Sequence, residues 1–278
     1  MKKSWVTSVF VSILTASLFL AGCGSTNSST GSTGETTGGD NHATASSLED
    51  IKKAGKIRIG TEGTYAPFTF HDSSGKLTGF DVELASEIAK RIGVEAEFIE
   101  SKWDGMFAGI DAGRFDIVVN QVAIREDRLQ KYDFSDPYNV SKAVLLVAED
   151  NQEIKSFADL KEKKAGQTLT SNLTEIAKQN GAEIVQTEGF NQAMDLLIAG
   201  RIDATVNDGL SFYDFKTKKP DAKVKVVAEH PDASKNGVMI KKGSKELVDA
   251  VNKALKEMQA DGTYLKISEK YFSTDVSK

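Results

Sequence analysis

The sequence predicts an α/β fold of two lobes, each a mostly parallel sheet flanked by helices. From residue 48 onward, short apolar runs typical of strands alternate with amphipathic runs typical of helices. A long apolar strand over 140–148 leads into a second series of the same kind, so two lobes are expected. No internal repeat of about 20–50 residues is visible, which argues against a solenoid.

The first series carries the clearest helix signal of the chain. Leu84, Ile88 and Ile92 form one apolar stripe, and Gly93 follows as a stop. Asp81 stands where an N-cap is expected. In order, the series is predicted to hold strand 56–61, a loop with a turn at 72–75, helix 81–92, strand 96–100, helix 103–112 and strand 116–120.

The second series follows the apolar strand and then returns to a final helix. Asn172 with Glu175 three residues later is typical of a capping box. Ser244 is expected to cap the last predicted helix, which carries Leu247, Val251 and Leu255 on one face. In this second series we predict helices 157–160, 172–179, 191–199 and 210–218, and strands 183–185, 203–206, 223–228 and 237–240.

The N-terminus has the pattern of an export signal. Lys2 and Lys3 precede an apolar run that ends at Leu20 and is too short for a comfortable membrane span. Cys23, the only cysteine, directly follows Ala21-Gly22, as in a bacterial lipobox. We therefore predict a signal peptide over 1–22 and lipidation (palmitate) at Cys23; the alternative is an ordinary signal peptide with an incidental cysteine.

The segment after Cys23 has no means of forming a core. Residues 24–47 are almost entirely Gly, Ser, Thr and Asn, so 23–47 is interpreted as a lipidated cysteine with a flexible linker. A coil of this length spans about 25–30 Å. The linker would hold a globular part near the membrane but clear of the headgroups.

Composition excludes several classes of function. The formal net charge is −5, and loss of Lys2 and Lys3 with the signal peptide would make it more negative. Such a protein is not suited to coating nucleic acid. With 40% hydrophobic and 27% charged residues, the chain is ordinary for a globular protein. The lone cysteine leaves no internal disulfide, and no second apolar run reaches membrane-spanning length.

Motifs of common enzymes are missing from the sequence. There is no Gly-x-Ser-x-Gly, no phosphate-binding Gly-Lys-Ser/Thr loop and no metal-spaced pair of histidines. The three histidines are interpreted as surface residues: His42 in the linker, His71 in a turn and His230 beside Pro231. We therefore expect neither an enzyme nor a bound metal or cofactor.

The stretch 79–89, Gly-Phe-Asp-Val-Glu-Leu-Ala-Ser-Glu-Ile-Ala, resembles the signature of bacterial extracellular solute-binding proteins of the polar amino-acid family. These proteins are the substrate receptors of ABC importers. Further matching pieces lie at 60–68, 132–138, 199–204 and 261–272, so the resemblance covers residues 48–278. It implies a monomer that serves an ABC permease and its ATPase on the outer face of a Gram-positive type of membrane.

The resemblance also implies a particular architecture. The expected fold is the two-lobed, type II periplasmic-binding-protein-like fold, whose lobes are joined by two hinge strands and enclose the ligand. Lobe 1 would comprise 48–141 and 237–278, and lobe 2 would comprise 142–236.

The resemblance assigns partners to the two charged ends of a free amino acid. Arg128 would grip the α-carboxylate with its guanidinium fork, with Arg125 as the competing candidate. Ser171 and Asn172 would meet the same carboxylate at a helix N-terminus. Asp208 would receive the α-ammonium, and Glu62 could add negative charge near an ammonium.

The remaining candidates would shape the ligand's side-chain pocket. Tyr65 and Trp103 would form flat aromatic walls. Asn120, Gln121 and Ala123 stand where basic-amino-acid receptors have a serine-rich stretch. The pieces 102–107 and 119–122 together most resemble the cystine-binding branch. L-Cystine is therefore the expected ligand. Glutamine, histidine, arginine and cysteine remain alternatives, as do a fold-related surface dehydratase and a sensory binding module.

Overall fold

A computed structural model describes residues 46–278 of the chain. The predicted signal peptide, the lipidation at Cys23 and the linker up to residue 45 lie outside the described residues. Ser47 caps a first helix that the sequence analysis did not predict, accepting a hydrogen bond from the Asp50 amide at 3.1 Å. Among the helices of residues 46–278, none combines the length and the apolar character needed to cross a membrane.

Lobe 1 is built on a sheet in the strand order β5-β1-β6-β13-β7. A small sheet, β2-β3-β4, stands beside it. The elements before the crossing into lobe 2 are α1 (Leu48–Ala54), β1 (Lys56–Thr61), β2 (Thr64–Tyr65), β3 (Thr69–His71), β4 (Leu77–Thr78), α2 (Phe80–Ile92), β5 (Glu95–Glu100), α3 (Trp103–Asp111), β6 (Ile117–Val118), α4 (Glu126–Leu129) and β7 (Tyr132–Phe134). After the return come β13 (Met239–Lys241), α8 (Lys245–Ala260) and α9 (Thr263–Phe272).

Lobe 2 repeats the plan with the strand order β10-β9-β11-β8-β12. Its strands are β8 (Asn139–Ala148), β9 (Lys164–Gln167), β10 (Glu183–Gln186), β11 (Ala204–Asp208) and β12 (Val224–Asn236). Its helices are α5 (Asn172–Gln179), α6 (Phe190–Ile198) and α7 (Gly209–Lys218), with a short 3-10 helix at Phe157–Leu160.

Both sheets are mixed. In lobe 1, β1 pairs in parallel with β5 and β6, whereas β13 is antiparallel to both of its neighbours. In lobe 2, β9 pairs in parallel with β10 and β11, whereas β8 is antiparallel to β11 and β12. The predicted strand–helix alternation thus gives the parallel half of each sheet, and the antiparallel half is centred on β13 in lobe 1 and on β8 in lobe 2.

Two antiparallel strands, β8 and β12, connect the lobes. Their pairing runs from Asn139 opposite Asn236 to Ala148 opposite Val224, with irregularities around 226–233. The prediction for this strand, 223–228, was too short. Pro231 has no amide proton for a ladder and ordinarily ends a strand, but here it falls within the irregular stretch and pairing resumes at Ala233.

Helix α2 begins on a glycine that its surroundings require. The N-cap is Gly79 with φ of 128°, and a Cβ placed there would lie 2.2 Å from the Phe68 carbonyl oxygen. The prediction that Asp81 caps this helix was wrong. Its carboxylate is fully buried and accepts hydrogen bonds from the backbone and side chain of Gln121 instead.

Apolar side chains cover both faces of each central sheet. In lobe 1, the stripe of α2 that contains Leu84 and Ile88 packs with α8 and α9 on one face, and Trp103 and Phe115 lie in a second cluster. Full burial of each such side chain contributes about 1.5–3 kcal/mol. The facing edges of the two lobes carry the residues that line a cavity.

Candidate ligand-binding site

A cavity lies between the lobes. Its wall combines acids, amides, hydroxyls and aromatic rings from both lobes. The lining residues are Glu62, Tyr65, Trp103, Asn120, Gln121, Ala143, Gly166, Gln167, Thr168, Ser171, Asn172, Leu173, Thr187, Gly189, Phe190, Ala193, Thr205, Asn207, Asp208, Ser234 and Asn236.

Direct hydrogen bonds join the lobes around this cavity. The Tyr65 hydroxyl donates to Asn207 Oδ1 at 2.9 Å, and the Ser211 hydroxyl donates to the Ala66 carbonyl at 2.6 Å. In each pair one residue belongs to lobe 1 and the other to lobe 2. The lobes therefore stand in a closed arrangement.

Asp208 lies at the end of β11 and caps helix α7. One carboxylate oxygen accepts from the Leu210 amide at 2.9 Å, and the other accepts from the Ser141 hydroxyl on β8. The residue is 8% exposed, and burial raises its pKa to about 6. Asp208 therefore serves both as the N-cap of α7 and as a carboxylate that lines the cavity.

Glu62 and Asn120 form a reciprocal pair on the lobe 1 wall. The Asn120 amide donates to Glu62 Oε2 at 2.7 Å, while its Oδ1 accepts from the Glu62 amide at 2.8 Å. Burial raises the pKa of Glu62 to about 7, and the nearby Asp104 charge adds to the shift. The charged residues that line the cavity, Glu62 and Asp208, are both acidic. A bound cationic group would match them.

Aromatic rings from both lobes face each other across the cavity. Tyr65 and Phe190 meet edge to face with centroids 6.2 Å apart. Burial raises the pKa of Tyr65, and the negative charges of Asp208 and Glu62 raise it further. Trp103 is 7% exposed, and its indole Nε1–H is buried without a hydrogen-bond partner. A buried indole donor normally has an acceptor.

Gln121 is held in an unusual conformation at the base of the cavity. Its φ is +51°, a left-handed value that non-glycine residues seldom adopt. Asp81 accepts from its backbone amide at 2.8 Å and from its side-chain amide at 2.9 Å. The Gln121 Oε1 accepts from Asn236, which also donates to Asn139 at 2.8 Å, so the cavity wall is tied to both connecting strands.

Arg128 and Ala123, two of the predicted ligand contacts, do not line the cavity. The Arg128 guanidinium donates to the carbonyl of Ala123 at 2.8 Å and to that of Thr170, in lobe 2, at 3.0 Å. It is 4% exposed and lies 5.7 Å from the ring centre of Trp103, which does line the cavity. Burial lowers its pKa only to about 10, so the group stays cationic at neutral pH.

The N-terminus of α5 borders the cavity, and its cap differs from the predicted one. Ser171, not Asn172, is the N-cap, and its hydroxyl accepts from the Leu173 amide at 3.1 Å. The Asn172 side chain donates to Ser234 at 3.3 Å. The first-turn amides and the positive end of the helix dipole favour an anion at this place.

Sequence reasoning missed several residues of the wall, most of them polar. Gln167, Asn207 and Asn236 lie at strand ends, and Thr168 and Phe190 lie in loops or at helix starts. Their position after apolar strands was a usable signal, because loops at the carboxyl ends of parallel strands commonly carry ligand contacts. Among residues 46–278, no group of His, Cys, Asp and Glu could hold a metal ion.

These features agree with comparisons to known proteins. Residues 57–274 match the family of bacterial extracellular solute-binding proteins, family 3, so the chain belongs to that family. The L-cystine-binding protein TcyA of Bacillus subtilis (strain 168) is 44% identical over 279 residues, and the match covers 100% of both chains. The L-cystine-binding protein TcyJ of Escherichia coli (strain K12) is 43% identical over 83% of this chain and 88% of that protein.

Solved structures share the two-lobed fold. An ancestral arginine-binding protein bound to glutamine superposes with a TM-score of 0.75 at 40% identity, covering 78% of this chain and 98% of that one. The L-cystine solute receptor of Neisseria gonorrhoeae in its unliganded open conformation gives a TM-score of 0.57 at 45% identity, covering 84% of this chain and 100% of that one. The family resemblance and the type II fold are therefore confirmed.

Proposed function

We propose that the chain is the substrate receptor of an ABC importer and binds L-cystine between its lobes. The observation that carries the proposal is the cavity between the closed lobes, which sets the carboxylates of Glu62 and Asp208 against aromatic walls and side-chain amides. The two L-cystine-binding relatives support the choice of ligand.

One end of the ligand would be held by a clamp from both lobes. Asp208 would receive an α-ammonium, because its buried carboxylate gains a charge-assisted partner. The α-carboxylate would meet the amides of Ser171 and Asn172 at the start of α5, with Arg128 close by. In this arrangement Arg128 would give up its hydrogen bonds to the carbonyls of Ala123 and Thr170, or share them with the ligand carboxylate.

The other end of the ligand decides between candidates. Cystine carries a second ammonium, for which Glu62, oriented by Asn120, is the matching partner. Its sulfur atoms would pack against Tyr65 and Trp103, since sulfur makes favourable contacts with ring edges. Arginine also carries a second cation and is the principal alternative, followed by glutamine, histidine and cysteine.

A thermal-shift panel of the common amino acids and L-cystine tests the ligand. A ligand at a hundredfold excess over its dissociation constant stabilises a protein by about 2.7 kcal/mol, which raises the melting temperature measurably. We expect L-cystine to give the largest shift. A shift with arginine or glutamine but none with L-cystine would contradict the cystine assignment and leave the receptor class intact. No shift with any amino acid would contradict both.

Binding is expected to weaken as the pH falls through the range from about 7 to about 6, the raised pKa values of Glu62 and Asp208. An ammonium favours the ionised carboxylate, so protons held by the free protein must leave on binding. Affinity then falls by up to about tenfold per pH unit for each proton released. Calorimetry in buffers of different ionisation enthalpy measures this proton release. The Glu62→Gln variant should lose the upper part of the dependence, and an affinity independent of pH would exclude the paired carboxylates as ammonium partners.

The proposal extends to how the receptor is anchored and used. Export by the signal peptide and lipidation of Cys23 would hold it on the outer face of the membrane, beside an ABC permease and its ATPase. We propose a non-enzymatic, monomeric receptor, consistent with the relatives that are named as binding proteins. A Cys23→Ser variant should leave the membrane fraction or keep its uncleaved signal peptide, and a variant that fractionates and migrates like the parent protein would contradict the anchor.

A further inference from the structure

One carboxylate of lobe 1 holds a loop of lobe 2. Asp104 lies in the first turn of α3. It accepts hydrogen bonds from the Leu169 amide at 3.1 Å, the Thr170 amide at 3.0 Å and the Thr170 hydroxyl at 2.7 Å. Three donors of one loop therefore converge on a single acid of the opposite lobe.

Thr170 is bound by lobe 1 at each of its polar groups. Its amide and hydroxyl donate to Asp104, and its carbonyl accepts from Arg128 Nη2 at 3.0 Å. The signs are complementary, since the donors face an acid and the acceptor faces a cation. Hydrogen bonds that involve an ionised group are stronger than neutral ones.

Apolar packing does little to fix this loop. The Leu169 side chain is 47% exposed and belongs to none of the buried clusters of the described chain. The neighbouring residues Thr168 and Ser171 line the cavity, whereas Leu169, Thr170 and Asp104 do not. The bonds to Asp104 thus hold two residues that do not line the cavity but stand between two residues that do.

We propose that Asp104 is a positioning residue for ligand binding, which latches the 168–171 loop against lobe 1 when the lobes are closed. The inference rests on the proposed function, namely that an amino acid is bound in this cavity. Because the latch exists only when the lobes meet, it stabilises the closed state and slows opening. A ligand that leaves only through the open state is then retained longer.

The test compares Asp104→Asn with Asp111→Asn. Both replace a carboxylate of α3 by an amide, but the Asp111 carboxylate accepts from the Tyr132 hydroxyl at 3.1 Å within lobe 1. The amide at position 104 would keep an acceptor at Oδ1, but it would place a donor where Oδ2 faces the Leu169 amide and would remove the charge that strengthens all three bonds. We expect L-cystine to dissociate about tenfold faster from Asp104→Asn, with little change in association rate, and about as from the parent protein for Asp111→Asn. Thr170→Ala, which removes one of the three donors, should show part of the effect.

Amide hydrogen exchange supplies a second measurement. A change in ligand contacts alone would not alter the exchange rates of the Leu169 and Thr170 amides. At saturating L-cystine, exchange at Leu169 and Thr170 should be faster in Asp104→Asn than in the parent and unchanged in Asp111→Asn. Parent-like dissociation and exchange in Asp104→Asn would overturn the latch. Faster dissociation with unchanged exchange at these two amides would also overturn it.

Failure of the ligand assignment is distinguishable from failure of the latch. If L-cystine gave no thermal shift, the proposed ligand would be wrong. Both measurements would then use the amino acid of the panel that does shift the melting temperature. The comparison of Asp104→Asn with Asp111→Asn would still decide whether the loop is held by Asp104.

Discussion

Replacing Asp208 with alanine is expected to weaken ligand binding at least tenfold and as much as several-thousandfold. The carboxylate is 8% exposed, so its removal leaves a desolvated ligand ammonium without a partner. Truncation of one member of a buried charge pair typically costs about 2–5 kcal/mol. Isothermal calorimetry with L-cystine measures the change in dissociation constant.

A second variant separates binding from folding. Asp208 also caps α7 through the Leu210 amide, and loss of an N-cap costs about 1 kcal/mol of stability. Asp208→Asn keeps a capping oxygen but removes the charge, so it should melt close to the parent protein and still bind weakly. Binding by Asp208→Asn as tight as that of the parent would show that Asp208 is not the ammonium partner.

The Arg128→Ala variant is expected to lose a comparable share of the affinity, for two reasons. It removes the cation proposed for the ligand carboxylate, and it breaks a bond that crosses between the lobes to Thr170. Lysine at this position should restore little, because an ammonium lacks the planar fork that serves two acceptors together. Calorimetry with L-cystine gives the magnitude, which we expect to be at least tenfold.

Arg125 provides the matched control, three residues away. Its guanidinium pairs with Asp127 at 2.9 Å, at the surface and away from the cavity lining. Exposed pairs of this kind contribute about 0–1 kcal/mol, so Arg125→Ala should bind nearly as well as the parent. If Arg125→Ala lost affinity and Arg128→Ala kept it, the carboxylate partner would have been assigned to the wrong arginine.

Local patterns predicted most of the helices and strands, because these elements depend on neighbours in sequence, but α1, α4 and α9 were missed. The stripe of Leu84, Ile88 and Ile92 and the stop at Gly93 are present as expected. The cap at Asp81 failed for a tertiary reason. A backbone shape that only Gly79 can adopt already starts the helix, which frees the Asp81 carboxylate to bind Gln121, 40 residues away.

The candidate site shows the same difference between what local sequence predicts and what depends on tertiary contacts. Most of the predicted residues, which were named from short sequence pieces that resemble the family, do line the cavity. They are Glu62, Tyr65, Trp103, Asn120, Gln121, Ser171, Asn172 and Asp208. Asn207 and Asn236 were not predicted, because they contact Tyr65 and Gln121, which are far away in the sequence. No local pattern indicates such contacts. The contact of Asp104 with Thr170 belongs to the same group, because it exists only once the lobes have closed.

Trp103 gives this receptor a built-in optical probe. The chain has two tryptophans, Trp5 and Trp103, and a protein that begins at Cys23 retains only the second. All indole fluorescence of such a preparation comes from one ring in the cavity wall, whose Nε1–H is without an acceptor. The emission wavelength therefore reports the hydration of the cavity, and opening and filling can be followed in real time with no label attached.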